Sequence, residues 1–140
     1  MKRIELNNTE FIKYIESHLN NNQTVELKVK GRSMVPFFHD SKTIVIVKKE
    51  ETYQKYDVIL FKYENQIYLH RIIKIKKDLI IAQGDGALKK EYIKKSDIYG
   101  KVIDYHTNGK KIKSYRFKVK LWCIFRPIRR ILLKFFKHMW

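Results

Sequence analysis

Apolar and polar positions divide the chain into a helix, a series of short strands and a second helical stretch at the C-terminus. Phe11, Ile12, Ile15 and Leu19 recur at helical spacing, with Asn8 or Thr9 placed to cap the first turn and Asn20-Asn21-Asn22 placed to end it. From Thr24 to Lys30, Val25, Leu27 and Val29 alternate with Glu26, Lys28 and Lys30, the period of a strand with one buried face. Ile44-Val45-Ile46-Val47, inside Lys42 to Lys48, is apolar on both faces and predicts a central strand. Asp57 to Tyr63 is another such run, and Glu64-Asn65-Gln66 turns it into Ile67 to Lys76 as a hairpin. Lys77-Asp78 turns the chain again into Leu79 to Ala82, which Gly84-Asp85-Gly86 ends, and Ile98 to Tyr105 forms a last strand before Asn108-Gly109.

Short strands joined by hairpins, with one helix in front, predict a mainly β, antiparallel fold. Within the strand at 67–76, Ile67, Leu69, Ile73 and Ile75 share one face, and Tyr68, His70, Ile72 and Lys74 share the other. His70 is therefore expected to point away from the main core and to line a groove.

Composition changes this picture at the C-terminal end. Of the 31 Lys and Arg residues, eleven lie from Lys110 onward with no Asp or Glu among them; the other 20 face 14 acids, so most of the +17 formal charge sits in the last stretch. There Phe117, Leu121, Ile124, Phe125 and Ile128 fall on one helical face, which Leu132, Phe135 and Phe136 continue past Pro127, with Arg126, Arg130, Lys134 and Lys137 opposite. The expectation is one folded domain over 1–108 and a basic amphipathic helical segment over 109–140. That segment is suited to lie on an anionic membrane surface, with Trp122 and Trp140 at the interface.

A strongly basic balance calls for an anionic partner, membrane or nucleic acid, and says nothing of fold. A nucleic-acid role would be independent of sequence, since a single N-terminal helix does not make a helix-turn-helix. One cysteine, Cys123, excludes an internal disulfide. Lys2-Arg3 is not followed by the apolar core of a signal peptide, and the longest apolar run, Leu121 to Phe125, is far short of the roughly 20 residues that span a bilayer. The reading is a peripheral protein on the cytoplasmic face. His18, His39, His106 and His138 show no metal-ligand spacing, and no cofactor is expected.

The candidate chemistry lies in Gly31-Arg32-Ser33-Met34-Val35-Pro36. Gly31 allows a tight turn that exposes Ser33, and two later stretches, Tyr68-Leu69-His70-Arg71 and Gln83-Gly84-Asp85-Gly86, supply the other residue types an activated serine needs. A serine hydroxyl attacks only when a neighbour takes its proton, and free imidazole, which titrates near about 6.5, does this around neutral pH without further tuning. His70 is the expected base, with His39 as its rival. Asp85 is expected to hold the far ring nitrogen of His70, and the Ser33 amide to stabilise the oxyanion.

In this order and spacing the three segments resemble the signal peptidase family and its relatives, the self-cleaving SOS-response repressors, in the variant with histidine in place of lysine as the base. The resemblance runs from about Thr24 to Tyr105. Tyr56-Asp57-Val58-Ile59 is similar to the family's Gly-Asp-Val-Val box with Tyr56 in place of glycine, and Gln83-Gly84-Asp85-Gly86 is similar to its Gly-Asp-Asn box with Gly86 in place of asparagine. Gly31 stands where the family often carries a hydroxyl residue that adds a second oxyanion donor. The resemblance implies a signal-peptidase-like antiparallel β fold. It also implies hydrolysis, after small residues, of a peptide held extended beside the strands that flank Ser33, with Gly31, Met34 and Pro36 lining the oxyanion and substrate site. The expected substrate is a leader or signal segment of a peptide precursor. The alternative is an inactive member of the family that binds membrane or nucleic acid.

Overall fold

The computed structural model describes residues 9–111, 115–125 and 128. A helix, α1 (Thr9–Asn20), precedes seven strands: β1 (Val25–Lys28), β2 (Thr43–Lys48), β3 (Val58–Tyr63), β4 (Gln66–Lys76), β5 (Leu79–Gln83), β6 (Lys90–Lys94) and β7 (Ile98–Thr107). A second helix, α2 (Tyr115–Ile124), follows. The strands form one sheet in the order β1-β2-β7-β3-β4-β5-β6, and every neighbouring pair is antiparallel. This is the mainly β, antiparallel architecture that the alternation of residues predicts, with the expected helix at the front and a helix at the back.

Strand alternation sorts the side chains into two cores. On one face Val25, Leu27, Val45, Val47, Val58, Leu60 and Ile67 pack under α1 through Phe11, Ile15 and Leu19. α2 closes the same cluster with Val119, Trp122 and Cys123. On the other face Ile59, Phe61, Ile72, Ile80, Ala82, Ile93 and Ile98 form a smaller cluster, to which neither α1 nor α2 contributes a residue. β3 serves both cores, which explains why its sequence is apolar on both faces.

The hairpin turns follow from local chemistry. Glu64 and Asn65 adopt φ of 50° and 63° between β3 and β4, the doubly left-handed geometry whose twist matches a two-residue hairpin. β7 enters late in the chain yet sits between β2 and β3, with register shifts against both of them. Gly100 lies in this stretch, and a Cβ there would meet the Lys48 carbonyl oxygen at 2.7 Å. The sequence reading contains no counterpart of β6. Its pattern, Lys90-Glu91-Tyr92-Ile93-Lys94, puts Glu91 and Ile93 inward and leaves Tyr92 exposed, and a charged residue at an inward position hides the alternation.

Candidate functional site

Ser33 sits in the excursion between β1 and β2. Two backbone hydrogen bonds close its base, from Val29 N–H to the Thr43 carbonyl (2.9 Å) and from Ser41 N–H to the Val29 carbonyl (2.8 Å). Gly31, at φ +81°, starts the turn as expected. Its amide donates to Asp40 Oδ1 at 2.8 Å, so Gly31 spends its N–H on shaping the loop and does not supply the second oxyanion donor. Beyond Ser33 the Met34 carbonyl accepts the amides of Phe37 (3.1 Å) and Phe38 (2.9 Å), and both rings are buried. Ser33 is half-buried on a turn whose following residues anchor it to the core. Met34 is such an anchor, buried with its Sδ accepting the Asp85 amide at 3.4 Å, while Pro36 is half-buried beside it.

The loop that carries Asp85 lies directly on this turn. Gly86 N–H donates to the Ser33 carbonyl at 2.8 Å. A Cβ on Gly86 would meet Val35 Cγ2 at 2.5 Å and the Arg32 carbonyl oxygen at 2.7 Å, so glycine is what lets the two loops touch. A Cβ on Gly84 would fall 2.3 Å from the Ser33 carbonyl oxygen and 3.0 Å from His70 Nε2. These two atoms are therefore separated by no more than the sum of those distances. The structure thus brings His70 to the Ser33 turn across Gly84, from residues far apart in sequence.

His70, on β4 opposite Ile59, lies on the face of the smaller core, with the rings of Phe61 and Tyr68 at centroid distances of 6.1 and 5.4 Å. It does point away from the larger core, as the alternation predicts. It does not stand in an open groove, because the second apolar cluster covers it and leaves it 6% exposed. Its Nδ1 bonds to Glu91 Oε1 on β6. Glu91 is paired with Ala82 across the β5–β6 ladder, and Ala82 is paired with Ile72 across the β4–β5 ladder. The methyl of Ala82 leaves room for Glu91 to reach over β5 to His70, two residues from Ile72. A carboxylate only accepts hydrogen bonds, so the proton of a neutral ring belongs on Nδ1 and the lone pair on Nε2 faces Gly84 and the Ser33 turn.

Asp85 does not hold His70, contrary to expectation. Its carboxylate accepts from Arg71 Nε at 2.9 and 3.2 Å and from Arg71 Nη2 at 2.8 Å, with both side chains buried. The reason is strand geometry: residues 70 and 71 are adjacent on β4 and emerge on opposite faces, so a carboxylate seated on the Arg71 side is turned away from the imidazole. Arg71 also donates from Nη1 to the Tyr56 carbonyl (2.8 Å) and from Nη2 to Tyr115 Oη (2.7 Å). Burial by itself works against its charge, but Asp85 and Tyr115 together outweigh it and raise the Arg71 pKa above its ordinary value. Tyr56 takes φ of 78°, a left-handed conformation that suits the glycine usual in this box. Its amide bond to the Ile72 carbonyl (2.8 Å) and the contact from Arg71 hold it there.

α2 completes this cluster. Trp122 Nε1 donates to the Asp85 carbonyl at 2.6 Å, and Phe37 meets the Tyr115 and Trp122 rings edge-on at 5.5 and 6.5 Å. Trp122 is buried, which corrects the expectation that it sits at a bilayer interface; Trp140 lies outside the described residues. A cleft of about 740 Å³ opens under α2 on the Arg71 side, lined by Tyr56, Asp57, Lys101, Tyr115 and Arg116 among others. It is separate from the His70 face.

His39, the rival base, is half-buried at the far end of the excursion, with its amide donating to Thr43 Oγ1 at 2.8 Å. Burial, then Lys42, lowers its pKa. Among the described residues no group of three His, Cys, Asp or Glu side chains could hold a metal ion. The residue that sequence reasoning missed is Glu91. Its signal was a glutamate sharing a strand face with Ile93.

A serine turn, an imidazole aimed at it and a carboxylate behind the imidazole are the parts of an acyl-transfer site. Residues 2–103 match the family model described as Peptidase S24-like. No curated protein matches the chain.

Proposed function

The chain belongs to the Peptidase S24-like family, a serine peptidase family, and on that premise we propose that it is an endopeptidase working through Ser33, His70 and Glu91. The observation that carries this reading is the position of His70, with Nδ1 against Glu91 and Nε2 against the Ser33 turn. In the first step the Ser33 hydroxyl proton passes to His70 Nε2 as the oxygen bonds to the scissile carbonyl carbon and the carbonyl electrons move onto oxygen. The Ser33 amide, which takes no part in the hydrogen bonds that close its turn, is the donor for that oxyanion. His70 then gives its proton to the departing amine. Water, deprotonated by the same imidazole, releases the acyl group and restores the serine. Glu91 fixes the ring and stabilises the imidazolium between these transfers.

The histidine base resembles that of signal peptidases with histidine in place of lysine, and this likeness supports the finer reading. The substrate is accordingly a leader or signal segment of a peptide precursor, bound extended and cut after a small residue. The excess of Lys and Arg in the C-terminal segment supports a reaction at an anionic membrane surface, on its cytoplasmic face, with no sequence-specific nucleic-acid partner.

Digestion of a library of extended peptides, followed by mass spectrometry, tests the assignment. The wild-type protein is expected to cleave peptides with a small residue before the cut. Ser33→Ala and His70→Ala proteins, shown by circular dichroism to be folded, are expected to lose cleavage. Cleavage by either variant at the wild-type rate would overturn the Ser33–His70 pair.

A further inference from the structure

α2 has two apolar faces. At about 100° per residue, Tyr115, Val119, Trp122 and Cys123 fall on one side, and Phe117, Leu121 and Ile124 fall on the opposite side. The first set is the face packed on the sheet and on the Asp85 loop. The second set is exposed, with Phe117 at 63% and Ile124 at 68%, and Phe125 and Ile128 extend it. Single exposed apolar residues are ordinary, but five at this spacing form a stripe that water does not favour.

The flanks of the stripe are cationic. Arg116 and Lys120 lie along one side and Lys118 along the other, all three exposed. No Asp or Glu occurs between Lys110 and Trp140. Two kinds of anionic partner compete for such a surface. A phosphate backbone would pair with the cations and leave Phe117 and Ile124 without an apolar environment. A bilayer with anionic headgroups takes both, cations at the phosphates and the stripe at the acyl boundary.

We infer that the outward stripe of α2, Phe117, Leu121, Ile124, Phe125 and Ile128, is a docking surface for an anionic lipid bilayer, formed on the helix whose inward face clamps the Asp85 loop. The inference rests on the peptidase reading only for what the docking serves, and it deepens that reading by naming the face that meets the lipid. The helix then lies flat on the headgroups, and the Ser33 turn, joined to it through Asp85 and Trp122, is held next to the membrane.

Co-sedimentation of full-length Ser33→Ala protein with vesicles tests the docking apart from catalysis. Vesicles of phosphatidylcholine and phosphatidylglycerol in equal parts are expected to pellet the protein, and vesicles of phosphatidylcholine alone are not. The double variant F117E/I124E is expected to bind the anionic vesicles about tenfold more weakly or worse, since a charged face cannot enter the acyl boundary. In the wild-type background the same pair, exposed on the face of α2 opposite the one packed on the Asp85 loop, should leave cleavage of a soluble peptide unchanged. The inference is overturned if the anionic vesicles leave the protein in solution, whether or not it binds duplex DNA or forms a dimer. It is equally overturned if F117E/I124E binds those vesicles as well as its parent. Absence of peptide cleavage by the wild-type protein would strike the peptidase reading and leave the vesicle result standing.

Discussion

His70 and Arg71 are consecutive on one strand, and each has its own buried carboxylate: Glu91 on one face of the sheet, Asp85 on the other. The two acids should therefore fail in different ways. Under the proposed mechanism Glu91→Gln keeps the volume but removes the charge that would stabilise the imidazolium. Turnover is expected to fall by about a hundredfold or more, with the melting temperature little changed. Asp85→Asn leaves the Arg71 guanidinium buried and unpaired, a defect on the order of 3–5 kcal/mol, so thermal or denaturant unfolding is where its effect should appear first. An Asp85→Asn protein of undiminished stability with lost turnover would reverse the assignment. The contrast shows what a sequence reveals at this scale. Ser33 and His70 are legible because each stands in a recognisable box. Asp85 is legible as a special residue but not as the partner of Arg71, since which face its loop covers is decided by tertiary packing against Met34 and Trp122.

Among the elements, α2 carries more than its sequence pattern announced. Its exposed stripe was readable from Phe117, Leu121 and Ile124, whereas the inward set was hidden because a second apolar face spoils simple amphipathic periodicity. It also lies beyond residues 2–103, where the family match runs. The helix nevertheless supplies Tyr115 to Arg71 and Trp122 to Asp85. Removing the phenol oxygen in Tyr115→Phe leaves one buried Arg71 N–H without its acceptor, at a cost of about 1–3 kcal/mol. A pH dependence goes with it. Burial raises the Tyr115 pKa, and Arg71 offsets this in part, so the folded protein keeps the phenol protonated beyond the unfolded value of 10.0. A group whose pKa is raised on folding binds more protons in the native state, so its stabilisation is full below about 10 and declines as pH rises through the higher folded value. Wild-type unfolding free energy measured across that alkaline range should fall more steeply than that of Tyr115→Phe; parallel curves would remove Tyr115 as the source.

For the molecule as a whole, the sheet was largely written in the alternation of residues, except where a polar functional group occupied an inward position, as in β6. What the alternation does not contain is the order of strands, because nothing local in Ile98 to Tyr105 says that this last strand inserts between β2 and β3. Charge is a separate whole-molecule property, and it works against the fold. A net +17 on 140 residues favours the expanded chain through self-repulsion. Salt weakens that repulsion but also weakens favourable pairs, so the sign of its effect depends on which pairs exist. The exposed pairs Lys89–Glu64 (3.8 Å) and Lys111–Asp104 (2.7 Å) lie in high dielectric and contribute little. Among the described residues Arg71–Asp85, a strong pair, is buried beyond the reach of screening ions. Repulsion among 31 cations against 14 acids therefore dominates the response. The melting temperature, followed by circular dichroism without lipid, should rise as sodium chloride is increased from low to moderate ionic strength. A fall over the same range would mean that surface pairing outweighs net charge.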